Sequence, residues 1–473
     1  MRMSNQINKG YVLTEWNPED SSFWNNYGRK IANKNLWLSI PALLLAFAVW
    51  QVWSVVVAEL PRAGFKFSST QLFWLTALPG LSGATLRIFY SFMVPIFGGR
   101  RWTALTTASL LIPALGIGFA VQDVNTPYWV MALLALLCGF GGGNFSSSMS
   151  NISFFYPKAE KGKASGLNAG LGNLGVSVVQ FVVPLVIATN AFGWLGGHPL
   201  TVTEANGHTS ELWLQNGAFV FVPFIALSAI CCWFGMNDIA DAKASFSDQA
   251  IIFKRKDNWL MCILYMGTFG SFIGFSAAFP LLMRLTFPDV NVVNYVFLGP
   301  LISALARAGF GGVSDKIGGG RVTFWAFILM MLALGAALYF VANPGSAVAF
   351  PDFFAAFMVL FFATGVGNAS TFQMIPVIMS RVIDKTMPNA TEEQKRHQSD
   401  RESAAITGFT AAIAAYAFFL IPVSFALSKD ATGGPQAALW GFMIFYVICL
   451  AITWFCYIRN GAILHVEGRR TQK

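Results

Sequence analysis

The stretch Gly312-Val313-Ser314-Asp315-Lys316-Ile317-Gly318-Gly319-Gly320-Arg321 is a glycine-rich, charged turn between two apolar runs. A shorter echo, Phe97-Gly98-Gly99-Arg100-Arg101, sets Gly98, Gly99 and Arg101 ahead of Gly318, Gly319 and Arg321 at one constant offset. Arg87 and Thr103 precede Arg307 and Thr323 at that same offset. Lys34 and Trp37 precede Lys256 and Trp259 at an offset only slightly larger. The string Gly141-Gly142-Gly143-Asn144-Phe145-Ser146 precedes Gly365-Val366-Gly367-Asn368-Ala369-Ser370 at one larger again, and Gly170 and Pro184 precede Gly408 and Pro422 at the largest. An ordered series whose offset changes this slowly is what a duplicated unit with small insertions produces.

The surroundings of these turns are too apolar for water. Hydrophobic residues make up 55% of the 473 and charged residues only 11%, against about 25% charge in an average soluble domain. That excludes a disordered chain, a nucleic-acid-binding domain and an ordinary soluble enzyme, and points to a surface that faces lipid. A spanning helix needs about 20 apolar residues. Six such runs come early, at 36–58, 72–97, 103–121, 128–152, 166–190 and 217–236. Six come late, at 259–282, 292–314, 322–342, 352–379, 404–427 and 436–457. The polar segment 237–257 divides them. The expectation is an all-α polytopic membrane protein of twelve transmembrane helices. Its parts are a six-helix half over 1–236 with a polar segment 1–35, a cytoplasmic linker 237–257, and a second half over 258–473. The short segments 97–103 and 314–322 predict tight antiparallel hairpins. The polar start shows no cleavable signal peptide, so the first apolar run is expected to stay as an anchor.

With the N-terminus inside, 25 of the 31 Lys+Arg fall in inner segments, and Arg62, Lys66, Arg284 and Lys429 in outer ones. This bias predicts both termini in the cytoplasm and gives the net charge of +9 an ordinary cause, without a nucleic-acid partner. Cys138, Cys231, Cys232, Cys262, Cys449 and Cys456 all lie in apolar runs and read as small core residues. His198, His208, His397 and His465 lie in loops or the tail and form no metal set.

The last two cations, Arg87 and Arg307, are predicted deep in spans, where an arginine costs ~2.5–3.5 kcal/mol on insertion scales. No Asp, Glu or Lys lies in a span core, and Glu59 and Glu402 sit at span ends. The repeat relates the two arginines, so both are expected to face one central cavity. An arginine pair of that kind suits a planar oxyanion, because each guanidinium is a fixed, planar fork of donors. The alternative is a structural tie to backbone carbonyls. The string Gly166-Leu167-Asn168-Ala169-Gly170-Leu171-Gly172-Asn173-Leu174-Gly175 is costly for a helix. It suits either close helix packing or room for a small ligand, with Asn168 and Asn173 as donors. Phe47 and, at the offset that relates Lys34 to Lys256, Phe269 supply rings, with Tyr265 one turn before Phe269.

The turn at 312–321 resembles the signature loop of the major facilitator transporters, although Pro95 stands where the first copy usually has an acid. Gly98-Gly99-Arg100-Arg101-Trp102, the span 5 string above, Thr268-Phe269-Gly270-Ser271-Phe272-Ile273-Gly274-Phe275-Ser276 and Ser370-Thr371-Phe372-Gln373-Met374 together resemble the nitrate/nitrite porter family, from Trp16 to the last span. That resemblance implies a major facilitator fold with alternating access. It implies that Arg87 and Arg307 clamp the anion, Phe145 and Phe269 sandwich it, and Asn173 and Tyr265 touch it. Phe47 and Ser54 would line the cavity, with Gly170, Gly172 and Gly408 as cavity or gating positions. Span 11 departs from the family: Ala414, Ala417 and Phe418 replace glycines and Ala411 a serine, so it is expected to be stiffer or packed differently.

No Asp, Glu or His lies deep in a span to carry a proton. The expectation is therefore exchange, nitrate in and nitrite out, in the bacterial inner membrane, by a monomer without cofactor or metal. Proton-coupled nitrate symport is the alternative. A membrane sensor lacks a soluble domain to signal with, an enzyme lacks a nucleophile–base set, and a larger organic anion would require a wider, more polar cavity.

Overall fold

The computed structural model describes residues 8–203, 209–240, 250–343 and 349–459. Arg2, His208, Lys243, His465, Arg469, Arg470 and Lys473, which entered the loop and tail reading, lie outside the described residues. Among the described residues, eleven helices are long and apolar enough to cross a membrane. They are Ser21–Glu59, Ser69–Tyr90, Gly99–Ala120, Tyr128–Phe155, Ala159–Ile187, Asn216–Gly235, Lys256–Thr286, Gly319–Ala342, Ala349–Thr386, Glu392–Thr432 and Gln436–Ile458. The remaining one, Leu298–Ile317, carries Arg307, Asp315 and Lys316, which leave it less apolar. In chain order these are spans 1 to 12. Each falls on an expected apolar run, and several extend past it into polar turns.

Local chemistry sets many ends. Span 2 opens on a capping box: Gln71 N donates to Ser68 Oγ at 3.2 Å and Ser68 N to Gln71 Oε1 at 2.9 Å. Span 11 opens on Thr391 and Gln394 in the same way. Gly98 and Gly318 hold φ of 86° and 102°, which favours glycine, and each starts a matched hairpin. The next glycine in each half, Gly99 or Gly319, lies against an amide side chain, Asn151 or Gln373, so a Cβ there has no room. The duplication read from the sequence is thus repeated in the backbone.

The chain divides into two compact units: 1–244 with 293–297, and 245–292 with 298–473. In the first, span 1 packs on spans 2, 4, 5 and 6. Two short strands, β1 (Asn8–Lys9) and β2 (Val12–Leu13), form an antiparallel pair, and β5 (Asp238–Ile239) adds in parallel to β2. A separate pair, β3 (Leu200–Thr203) with β4 (Thr209–Leu212), lies between spans 5 and 6. Trp16 and Trp24 anchor the N-terminal segment through Phe154 O at 3.1 Å and Glu160 Oε1 at 3.0 Å. In the second unit, Arg255 grips Glu402 with two bonds of 2.7 and 2.8 Å.

The second expected span ends early. The run 72–97 is helical only to Tyr90, turns at Ser91 and Phe92, and resumes as Met93–Phe97. Pro95 is the cause: it has no N–H for the Ser91 carbonyl and its ring crowds that carbonyl.

Candidate functional site

In the first half, Arg87 occupies the last turn of the span 2 helix and is fully buried. Its Nε donates to Gly142 O in span 4 at 3.0 Å. The guanidinium lies 4.9 Å from the Trp50 ring and 4.7 Å from the Phe145 ring. Trp50 is held in turn by its Nε1 donating to Pro79 O at 2.7 Å. Gly83 and Gly142 permit this approach, since a Cβ on either would strike the Trp50 indole. The glycines of span 4 therefore let two helices and an indole close around one cation.

Phe47 is fully buried behind this cage, its ring centroid 5.6 Å from Trp50 and 6.0 Å from Phe145. Ser54 is also buried; its Oγ donates to Gln51 O at 2.6 Å and accepts from Gln180 Nε2 at 3.3 Å. Both therefore support the packing of span 1 on its neighbours. The glycines of span 5 divide by face. A Cβ on Gly172 would strike Leu43, and one on Gly175 would strike Leu44 O and Phe47. These two are packing glycines. Gly166 and Gly170 instead border open space. On that open side, Asn173 and Ser177 are 2% and 5% exposed, yet Asn173 Oδ1 and Ser177 Oγ have no hydrogen-bond partner.

In the second half, Arg307 is half-buried, 5.7 Å from the Phe372 ring, with its Nη1 buried and without a hydrogen-bond partner. Tyr265 and Phe269 stack at 5.2 Å with planes 11° apart. Phe269 lies in a π-helical turn, Met266–Gly270. Such a widened turn re-aims a side chain and recurs at functional sites. Tyr265 also approaches Phe372 at 6.1 Å. Gly408 borders open space, as its repeat counterpart Gly170 does. The altered residues of span 11 serve packing: a Cβ on Gly270 would meet Ala417 and Ala414 O, and one on Gly274 would meet Ala417 O and Ile421. Here the close approach is supplied by glycines of span 7, and span 11 breaks at Tyr416.

Four residues were missed by the sequence reading. Trp50 follows Phe47 by one turn, and Phe372 lies inside a quoted string, so spacing could have flagged both. Ser177 follows Asn173 by four residues on the same helix face. Asp238 had no signal, since it acts from the linker. It accepts from Arg100 N at 2.8 Å and Arg100 Nε at 3.2 Å, which supplies the acid that Pro95 lacks. Arg100 also donates to Trp233 O at 2.6 Å and lies 4.4 Å from the Tyr11 ring.

Two six-helix halves, each with an arginine set against aromatic side chains (two rings in the first, one in the second), define a secondary transporter of the major facilitator class, and the sequence model of the Major Facilitator Superfamily matches residues 39–391. Nitrate/nitrite transporter NarU of Escherichia coli (strain K12) is 49% identical over 97% of this chain and 99% of its own length. "Probable nitrate/nitrite antiporter NarK2" of Thermus thermophilus is 44% identical over 96% and 98%. The xylose transporter XylE from E. coli, in an inward-open conformation, shares the fold, with a TM-score of 0.59, 15% identity and coverage of 90% and 96%. The chain belongs to the nitrate/nitrite porter family of the Major Facilitator Superfamily.

Proposed function

We propose that the chain exchanges nitrate for nitrite across the bacterial inner membrane by alternating access, as a monomer with both termini cytoplasmic. The observation that carries this reading is an arginine at equivalent positions of the duplication, seated against two rings in the first half and one in the second. Arg87 and Arg307 bind the anion, each as a planar fork matched to a planar oxyanion. In the first half Asn173 Oδ1 and Ser177 Oγ, and in the second half Arg307 Nη1, are buried polar atoms without a partner, and ligand or water would satisfy each. The oxygen of Asn173 would meet an anion through a bridging water or with the amide turned to present its nitrogen. Tyr265 and Phe269 supply a flat stacked surface in the second half, and Phe145 a ring in the first.

Exchange follows from the fixed charge. Two guanidiniums cannot lose their protons at physiological pH. An empty site with both is costly to enclose, and a bound monoanion offsets part of that cost. Substrate is then required for the conformational switch in both directions. The name of the Thermus relative supports the same sense. Counterflow tests it. Nitrite-loaded proteoliposomes should accumulate labelled nitrate at equal internal and external pH, and empty vesicles should not. Uptake into empty vesicles driven by a pH gradient would establish proton symport instead.

A further inference from the structure

Spans 1, 3 and 4 of the first half line a small, partly open cavity whose polar wall is Ser39, Thr103, Thr107, Asn144, Ser147 and Ser148. Its volume is about 10 Å³ of space for a water's centre, close to the least that holds one water. Two atoms of its lining residues, Thr107 Oγ1 and Asn144 Oδ1, are buried without a hydrogen-bond partner. A buried acceptor left in that state destabilises the fold, and native proteins satisfy such groups with ordered water. From the spans 1–4–5 side, Asn168 Nδ2 donates to Ser148 Oγ at 2.8 Å, and Ser148 Oγ lies 2.8 Å from Ser39 Oγ. The Ser148–Ser39 bond fits either direction, since a hydroxyl oxygen can accept twice. The direction in which Ser148 donates to Ser39 leaves the Ser39 proton to donate into the cavity.

We propose that this cavity is a binding site for one ordered water, which accepts from Ser39 and donates to Thr107 Oγ1 and Asn144 Oδ1. Three bonds is the usual number for a buried water. Its polar lining is only partly repeated in the second half, where Thr323, Asn368 and Thr371 match Thr103, Asn144 and Ser147. The counterparts of Ser39, Thr107, Ser148 and Asn168, at the offsets of their spans, are Met261, Phe327, Phe372 and Ile406, all apolar. The water holds Asn144 in place beside Phe145, whose ring underlies Arg87 at 4.7 Å. It thereby positions the arginine cage from behind, whatever anion the protein carries.

The test joins a high-resolution structure of the full chain to thermal unfolding in detergent. The structure should show a single water peak within hydrogen-bond distance of Thr107 Oγ1 and Asn144 Oδ1. Ser147→Thr adds one methyl to the cavity and should displace the water, lowering the unfolding temperature by about 2 °C or more. Thr107→Val removes one acceptor, so the double variant should recover at least half of that loss. A wild-type peak with several oxygens near ~2.4 Å, a cation's spacing, would overturn the proposal. So would a dry cavity with both acceptors turned to protein partners, or a rise in unfolding temperature for Ser147→Thr, the response of a dry void to filling.

Discussion

Arg87→Lys separates charge from shape. Lysine keeps the positive charge and can still reach the Phe145 and Trp50 rings, which lie 4.7 and 4.9 Å from the guanidinium carbon. It lacks the fork. In the wild type, Nε is occupied by Gly142 O at 3.0 Å, which steadies the plane of the fork. An ammonium must divide its three protons between that carbonyl and the anion without a fixed plane. The expected loss is about one charge-assisted hydrogen bond, ~1.5–3 kcal/mol, which is about 10- to 150-fold in nitrate affinity. Titration calorimetry of purified protein with nitrate measures it, with counterflow on the same preparation. Arg62→Lys, outside the span cores, is the control and should be neutral. Wild-type affinity in Arg87→Lys would refute the assignment of Arg87 to the anion site, because no other feature of the substitution compensates for the lost fork.

The other expected outcomes rest on separate observations. Asp238→Asn should leave Arg100 buried without its carboxylate; both side chains are under a tenth exposed, so unfolding should be easier by ~3–5 kcal/mol, read by thermal unfolding. Gly175→Ala should destabilise by ~1–3 kcal/mol, since its Cβ meets Leu44 O and Phe47, whereas Gly170→Ala meets open space and should raise the unfolding temperature slightly through its better helix propensity. Ser177→Ala should weaken nitrate binding several-fold without loss of stability, because its Oγ makes no hydrogen bond in the fold; a stability loss with unchanged binding would remove it from the site.

Hydropathy made the helices legible, because burial in lipid demands long apolar runs whatever the tertiary packing. The duplication was legible through residues with strict backbone or charge roles, such as Gly98 with Gly318 and Arg87 with Arg307. Roles that depend on which helix face meets which neighbour were not. Gly170 and Gly172 look alike in the sequence, yet one borders open space and the other packs on Leu43. The bonds of Ser54 to Gln51 O and Gln180, which tie span 1 to span 5, gave no sign in the sequence either. Asp238 is far from Arg100 along the chain, and only the addition of β5 to β2 brings it there.

Pro95 links several of these departures. Its counterpart, at the offset that relates Arg87 to Arg307, is Asp315. In the second half the aspartate leaves Leu298–Ile317 unbroken, so Arg307 sits well inside a helix. In the first half the proline ends the helix at Tyr90, and Arg87 falls in its last turn. The unpaired carbonyls of a helix end carry partial negative charge, which favours a cation there. The same substitution removes the loop's own acid, and Asp238 occupies that role from the linker. Arg87 is consequently held by a helix end, a carbonyl and two rings, whereas Arg307 has one ring at 5.7 Å and a buried nitrogen without a partner. A duplicated pair of arginines has thus become chemically unequal. The rigid member suits a fixed anchor for the anion. The looser member suits the arm that would move with the substrate in the exchange proposed above. One proline is enough to start that division, because it changes the backbone next to the charge without touching the charge itself.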